Sequence, residues 1–370
     1  MMLRRAVPGL LAIAALLCPS PGAAQADGKG TPLLLLHDWF GKSPVASPTF
    51  VKEHLDFLES QPFDGLALYL RSADLRVNVT AGVLSRARFS DEDIDGVLSP
   101  VASLPFRRLR HNFAAVLSGN PPDVFDDWEG VVRNFGRLAR AARAARLEGI
   151  YLDNENYGSR WTDYPSGVAH PERTLAEYQD QARLRGRQVM EAMAAAFPDV
   201  TVLVLHGPYI SEPRAPRPLF PEWAAANRLM GPFFVGLVEG AGESGHVVDG
   251  GELYHLRTEE DFRRSYEWRK SELPSDRLDC PYLPPALRAR WSRTVGIAFG
   301  LYDRPAAGAP MDPATLRTLV ERALLRTDRY VWLYVEGPPF LLPPEKGGAP
   351  AEWVSAVRDG RDAALKVRSR

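Results

Sequence analysis

The segment Glu148-Gly149-Ile150-Tyr151-Leu152-Asp153-Asn154-Glu155 sets two carboxylates two residues apart at the end of an apolar run. In extended backbone such positions project to one side, so Asp153 and Glu155 would share a face and resist simultaneous ionisation. A carboxyl held protonated in this way can act as a general acid. The expectation is that Glu155 protonates a leaving oxygen while Asp153 stays ionised and orients substrate or stabilises positive charge. Two further acidic positions could complete such a site. Asp249 lies in Val247-Val248-Asp249-Gly250-Gly251-Glu252, and Glu336 closes Tyr330-Val331-Trp332-Leu333-Tyr334-Val335-Glu336. Either would supply the nucleophile or base from across a cleft, although Asp249 before two glycines also fits a tight turn bonded to its own backbone.

Other polar and aromatic residues stand just after apolar runs: His37 and Trp39, Tyr69 and Arg71, Asn154, His206 and Tyr209, Glu252, and Tyr302. On the last run alternation puts Trp332, Tyr334 and Glu336 on one side, where the two rings either fill a core or line a cleft. Aromatic faces stack on the apolar faces of sugar rings, and carboxylates bind hydroxyls and run acid–base chemistry at a glycosidic bond. These residues are therefore the candidate substrate contacts, and the expected function is hydrolysis of glycosidic bonds in an oligo- or polysaccharide. Two alternatives stay open. One is a carbohydrate-binding protein without catalysis; the other is a metal-dependent hydrolase or lyase holding a divalent ion on Asp153, Glu155 and Asp249. No His-Glu-x-x-His, His-x-His or Walker pattern occurs and no Gly-x-Gly-x-x-Gly follows the first strand, so no cofactor and no resident metal is expected.

The stretch 148–155 resembles the Asp-Gly-x-Asp-x-Asp-x-Glu signature of the chitinase-like glycoside hydrolases, family 18. Asp153 falls on its last aspartate and Glu155 on its acid glutamate. Glu148 and Tyr151 stand at the positions of its first two aspartates, and the Met-x-Tyr-Asp that the family carries at its sixth strand is absent. The resemblance implies a barrel and a glycosidase site at this strand.

Something must bring residues more than 150 positions apart together. Short apolar runs at 33–37, 65–70, 112–117, 149–153, 201–206, 246–249, 294–300 and 330–335 read as strands, apolar on both faces as in a buried parallel sheet. Segments of helical periodicity alternate with them at 48–60, 91–103, 124–146, 172–197, 221–241, 259–272, 312–326 and 351–366. Ser90 and Thr258, each before an acidic first turn, read as helix caps. Eight strand–helix units in strict alternation predict a single (β/α)8 TIM barrel of the α/β class, with an open doubly wound sheet as the alternative. In a barrel the carboxyl ends of all strands meet on one face, which is where the residues above fall.

Arg4 and Arg5, the apolar run 10–17 and Ala24-Gln25-Ala26 have the order of a secretory signal, predicting cleavage after Ala26, a barrel over 27–370 and a secreted or periplasmic location. No later stretch is apolar and long enough to span a bilayer. With Cys18 in the leader, Cys280 is alone, so neither a disulfide nor a cysteine zinc site is expected. A net charge of −1 over 370 residues gives no basic footprint for nucleic acid, and no protein partner is implied; the expected partner is a carbohydrate.

Overall fold

The computed structural model describes residues 30–220, 227–304 and 310–369; the expected leader, 1–26, lies outside them. The described strands are β1 Leu33–Asp38, β2 Gly65–Leu68, β3 Phe113–Leu117, β4 Gly149–Asp153, β5 Thr201–Val204, β6 His246–Asp249, β7 Val295–Ile297, β8 Phe299–Tyr302 and β9 Tyr330–Val335. All pair in parallel, in the order β7-β6-β5-β4-β3-β2-β1-β9-β8. The two ends of that order, β7 and β8, are consecutive in the chain and parted only by Ala298. One broken run therefore pairs with β6 through its first half and with β9 through its second. The sheet closes on itself as an eight-staved (β/α)8 barrel.

Strand periodicity sorts the side chains into two layers. Leu33, Leu35, Ala67, Phe113, Ala115, Tyr151, Leu203, Val248, Ala298, Tyr330 and Trp332 fill the barrel, while the alternate residues pack outward against the helices. Trp332 is fully buried and donates its indole N–H to the Gly250 carbonyl at 2.9 Å, so it is part of the floor beneath the mouth.

The break at Ala298 is held by a buried ion pair. Arg269, wholly buried in the π-helical turn Trp268–Glu272, sends Nη1 to Asp249 Oδ1 at 3.0 Å and to the Ala298 carbonyl at 3.0 Å. Asp249 Oδ1 also accepts the Gly251 N–H at 3.1 Å. Gly251 has φ +60°, and a Cβ there would come within 2.3 Å of the Arg269 guanidinium, so this turn requires glycine.

The expected caps are present: Ser90 and Asp93, and Thr258 and Asp261, form reciprocal capping boxes. Several expected elements are shorter or divided. The helix at 48–60 is two, Pro48–Glu53 and Leu55–Ser60, and the helix expected over 259–272 changes to a π turn at Trp268. The run 294–300 starts one residue later and is interrupted, because Thr294 ends the helical turn Trp291–Thr294. Of the helix expected at 221–241, residues 221–226 lie outside the described ones and the helix runs Met230–Gly240.

Candidate active site

At the carboxyl end of β4 the inward positions are Tyr151 and Asp153, and two residues on, Glu155 faces the same space. Asp153 is buried, and its Oδ2 accepts the Tyr157 hydroxyl at 2.8 Å. The same hydroxyl stands 2.6 Å from Glu155 Oε2. The other Glu155 oxygen lies 3.4 Å from His206 Nε2, at the end of β5. Glu252 Oε2 lies 3.3 Å from the same nitrogen, brought there by the Gly250-Gly251 turn after β6. Donor atoms of Glu155, His206 and Glu252 all fall within 4.8 Å of one another. Three successive strand ends thus place two carboxylates around one histidine.

Accessibility differs sharply within this trio. The Glu155 side chain keeps 32% of its exposure, Glu252 12% and His206 1%. His206 is fixed from behind: its Nδ1 is 3.0 Å from the Tyr209 hydroxyl, and Asn154 brackets its backbone, accepting its N–H and donating to its carbonyl, both at 3.0 Å. Asn154 and Tyr209 therefore position His206 from behind and do not line the mouth.

Electrostatics separates the acids. Burial, with the neighbouring charges of Glu155 and Glu252, raises the Asp153 carboxyl well above its usual range. Burial acts the same way on Glu155, but the His206 imidazole and the Tyr157 hydroxyl outweigh it and hold that carboxyl below its ordinary value. Glu252 is pushed up to about 7, chiefly by burial against the attraction of His206. Burial opposes charge on His206, yet Glu252 and Glu155 raise it to about 9. This ordering reverses the expectation for the first pair: proton affinity is raised on Asp153 and lowered on Glu155. Sequence spacing shows that two acids couple, but not which one the imidazole faces.

A second acidic group lies on the β8–β9 side. Glu336 accepts the Tyr302 hydroxyl at 2.5 Å and the Tyr334 hydroxyl at 2.9 Å. Its backbone N–H is held by the buried Asp303 at 2.9 Å and its carbonyl by Lys42 at 2.9 Å. Tyr302 stacks on Tyr334 at 5.2 Å and packs against Tyr254 at 5.0 Å, and all three rings are half-buried. Beside Tyr334, at 4.9 Å, His37 bonds the Tyr151 hydroxyl at 2.9 Å and packs on Phe40; burial drives its pKa down to about 3, so it is neutral. Trp39 is 41% exposed at the rim.

Other candidates sit apart. Asp249 belongs to the outward set of β6: Val248 points into the barrel, Asp249 points into the wall, and its partner is Arg269. It is a closure residue, and its place after an apolar run gave no sign of which side it takes. Tyr69 is buried against Phe40, with its hydroxyl accepting from Asn78 at 2.9 Å, and the Arg71 guanidinium lies 5.4 Å from its ring. Two residues not singled out as substrate contacts line the mouth, Tyr254 and Phe40. Tyr254 follows Glu252 by two and hydrogen-bonds it, so the spacing that marked Asp153 and Glu155 would have found it.

No protein-family model matches the sequence, and no curated protein matches it. Solved structures are similar to the chain at low sequence identity. The catalytic domain of a hyperthermophilic chitinase from Pyrococcus furiosus is 11% identical, with 91% of this chain and 98% of that one covered at TM-score 0.47. A GH10 xylanase from Thermobacillus composti is 11% identical (89% and 97%, TM-score 0.43), and a 3-keto-D-glucoside 4-epimerase from E. coli is 16% identical (92% and 100%, TM-score 0.41).

Proposed function

We propose that the protein hydrolyses glycosidic bonds in an oligo- or polysaccharide, with Glu155 and Glu252 as the reacting pair. The observation that carries this reading is their placement: two carboxylates with oxygens within 4.8 Å, in an aromatic-lined barrel mouth, held by unlike hydrogen-bond partners. Separations near ~5 Å suit double displacement with retention, since they leave no room for a water between acid and sugar. Glu155, the more exposed and facing the imidazole, attacks the anomeric carbon. Glu252 gives its proton to the leaving oxygen as the C–O bond breaks. Water then attacks the glycosyl ester, Glu252 takes its proton, and the sugar leaves with both carboxyls restored. Asp153, through Tyr157, holds Glu155 in place, and Glu336 with Tyr302, Tyr334 and Tyr254 offers hydroxyl acceptors and ring faces for the sugar.

The test is turnover of a panel of aryl glycosides and polysaccharides, with and without chelator. Hydrolysis is expected to persist in chelator, to vanish on every substrate in Glu155→Gln, and to fall steeply on the polysaccharides in Glu252→Gln. Activity lost on chelation, retained in Glu155→Gln, or undiminished on the polysaccharides in Glu252→Gln would overturn the reading.

A further inference from the structure

The trio at the β4, β5 and β6 ends has a geometry that proton chemistry alone does not call for. Glu252 Oε2 is buried and accepts no hydrogen bond, although it faces His206 Nε2 at 3.3 Å. A buried carboxylate oxygen without a donor is costly, and such atoms point to a missing ligand. Glu155 Oε1 faces the same nitrogen at 3.4 Å. Oxygen and nitrogen ligands of a tetrahedral zinc lie ~2.0–2.2 Å from the metal, which sets neighbouring ligands ~3.4 Å apart. The two nitrogen–oxygen separations have that length, and the Glu155 and Glu252 oxygens, within 4.8 Å of each other, close inward on an ion.

Each donor is also backed in the way metal ligands are. A tyrosine hydroxyl stands behind every one: Tyr209 at the other ring nitrogen of His206, Tyr157 on the second oxygen of Glu155, and Tyr254 on Glu252. Among the described residues, this is the group of histidine and acidic side chains whose donors converge closely enough to share an ion. Asp249, expected from sequence as a ligand, is turned into the wall and replaced by His206 and Glu252.

We infer that Glu155, His206 and Glu252 form a binding site for a zinc-type divalent cation, with a fourth position open to the mouth. One nitrogen and two carboxylates favour zinc or cobalt over calcium or magnesium, which take oxygen-rich shells. Because the ion engages both carboxylates of the proposed reacting pair, it blocks hydrolysis. Ion binding itself does not depend on the glycosidase reading.

The mature protein, stripped with chelator, is titrated with Zn2+ by calorimetry and with Co2+ by visible absorption, without substrate. One ion per chain is expected, with the intense Co2+ bands of a four- or five-coordinate site. His206→Gln and Glu252→Gln should abolish binding, and Tyr209→Phe, which leaves every ligand in place, should weaken it ~10- to 100-fold. Glu148→Gln, at the opposite barrel end, should change nothing. No saturable binding, a six-coordinate Co2+ spectrum, or affinity unchanged in both Glu252→Gln and Tyr209→Phe would overturn the inference. A protein that hydrolyses glycosides yet binds no ion fails only here. One that binds the ion and turns over only with it retains the site and loses the metal-free mechanism.

Discussion

The barrel carries a glutamate–histidine cluster at each end, and the two are built differently. At the amino-terminal end Glu148 receives His111 Nδ1 at 2.7 Å and the Tyr330 hydroxyl at 2.6 Å, with Arg329 at 3.4 Å. Burial works against its charge, but His111 and Tyr330 hold its carboxyl below the usual value. Every partner there is a donor, and the cluster plugs the barrel. At the mouth two carboxylates compete for one imidazole, one oxygen has no donor, and the acids are driven apart in proton affinity. The same residue types close one end and leave the other chemically poised, and the difference lies in whether donors match acceptors.

The sharpest way to break this contrast is at Glu155. Glu155→Gln should lower turnover on every glycoside by on the order of 10⁴ or more while moving the melting temperature little, which steady-state kinetics and a thermal scan read together. A variant that instead unfolds, with full activity in its folded fraction, would make the mouth cluster structural.

Behind the mouth, Arg269→Ala should destabilise the fold by about 3–5 kcal/mol in urea titration, because it strips the buried Asp249 carboxylate of its countercharge and the Ala298 carbonyl of the guanidinium N–H. A loss below about 1 kcal/mol would mean that the strand break does not depend on this pair.

Glu148→Gln should cost about 1–3 kcal/mol of stability and leave the activity of folded protein intact. Its pH dependence has a definite sign. The native carboxyl is lowered, so its contribution is complete above the unfolded value and fades as pH falls through the native one. Wild type and variant should therefore differ near neutrality and converge in acid, and a gap that widened on acidification would contradict the cluster. The smallest effect is expected for Tyr334→Phe, which removes one of two hydroxyls on Glu336: a rise in KM corresponding to about 0.5–1.5 kcal/mol, with kcat nearly unchanged.

Much of this was legible before the structure. The alternation of apolar runs predicted the barrel, and period two correctly put Trp332, Tyr334 and Glu336 on one side and Asp153 with Glu155 on another. What escaped was whatever depends on the strand ends as bodies in space. Asp249, the last residue of β6, and Glu252 are three residues apart, yet one is walled in by Arg269 and the other faces the mouth, because Gly251 turns the chain with a positive φ. The single break at Ala298, which lets one run complete both edges of the sheet, leaves no mark in composition. Nor could spacing assign the proton, since the imidazole that decides it comes from β5, more than fifty residues away.

The central claim is that Glu252 delivers a proton to the leaving oxygen while Glu155 stays ionised. The most direct measurement compares Glu252→Gln with wild type on two substrates sharing one sugar, a natural linkage and a dinitrophenyl glycoside whose leaving group needs no proton. The account predicts a loss of ~10²–10⁴ on the natural linkage and a far smaller one on the activated substrate. Equal losses on both would contradict it.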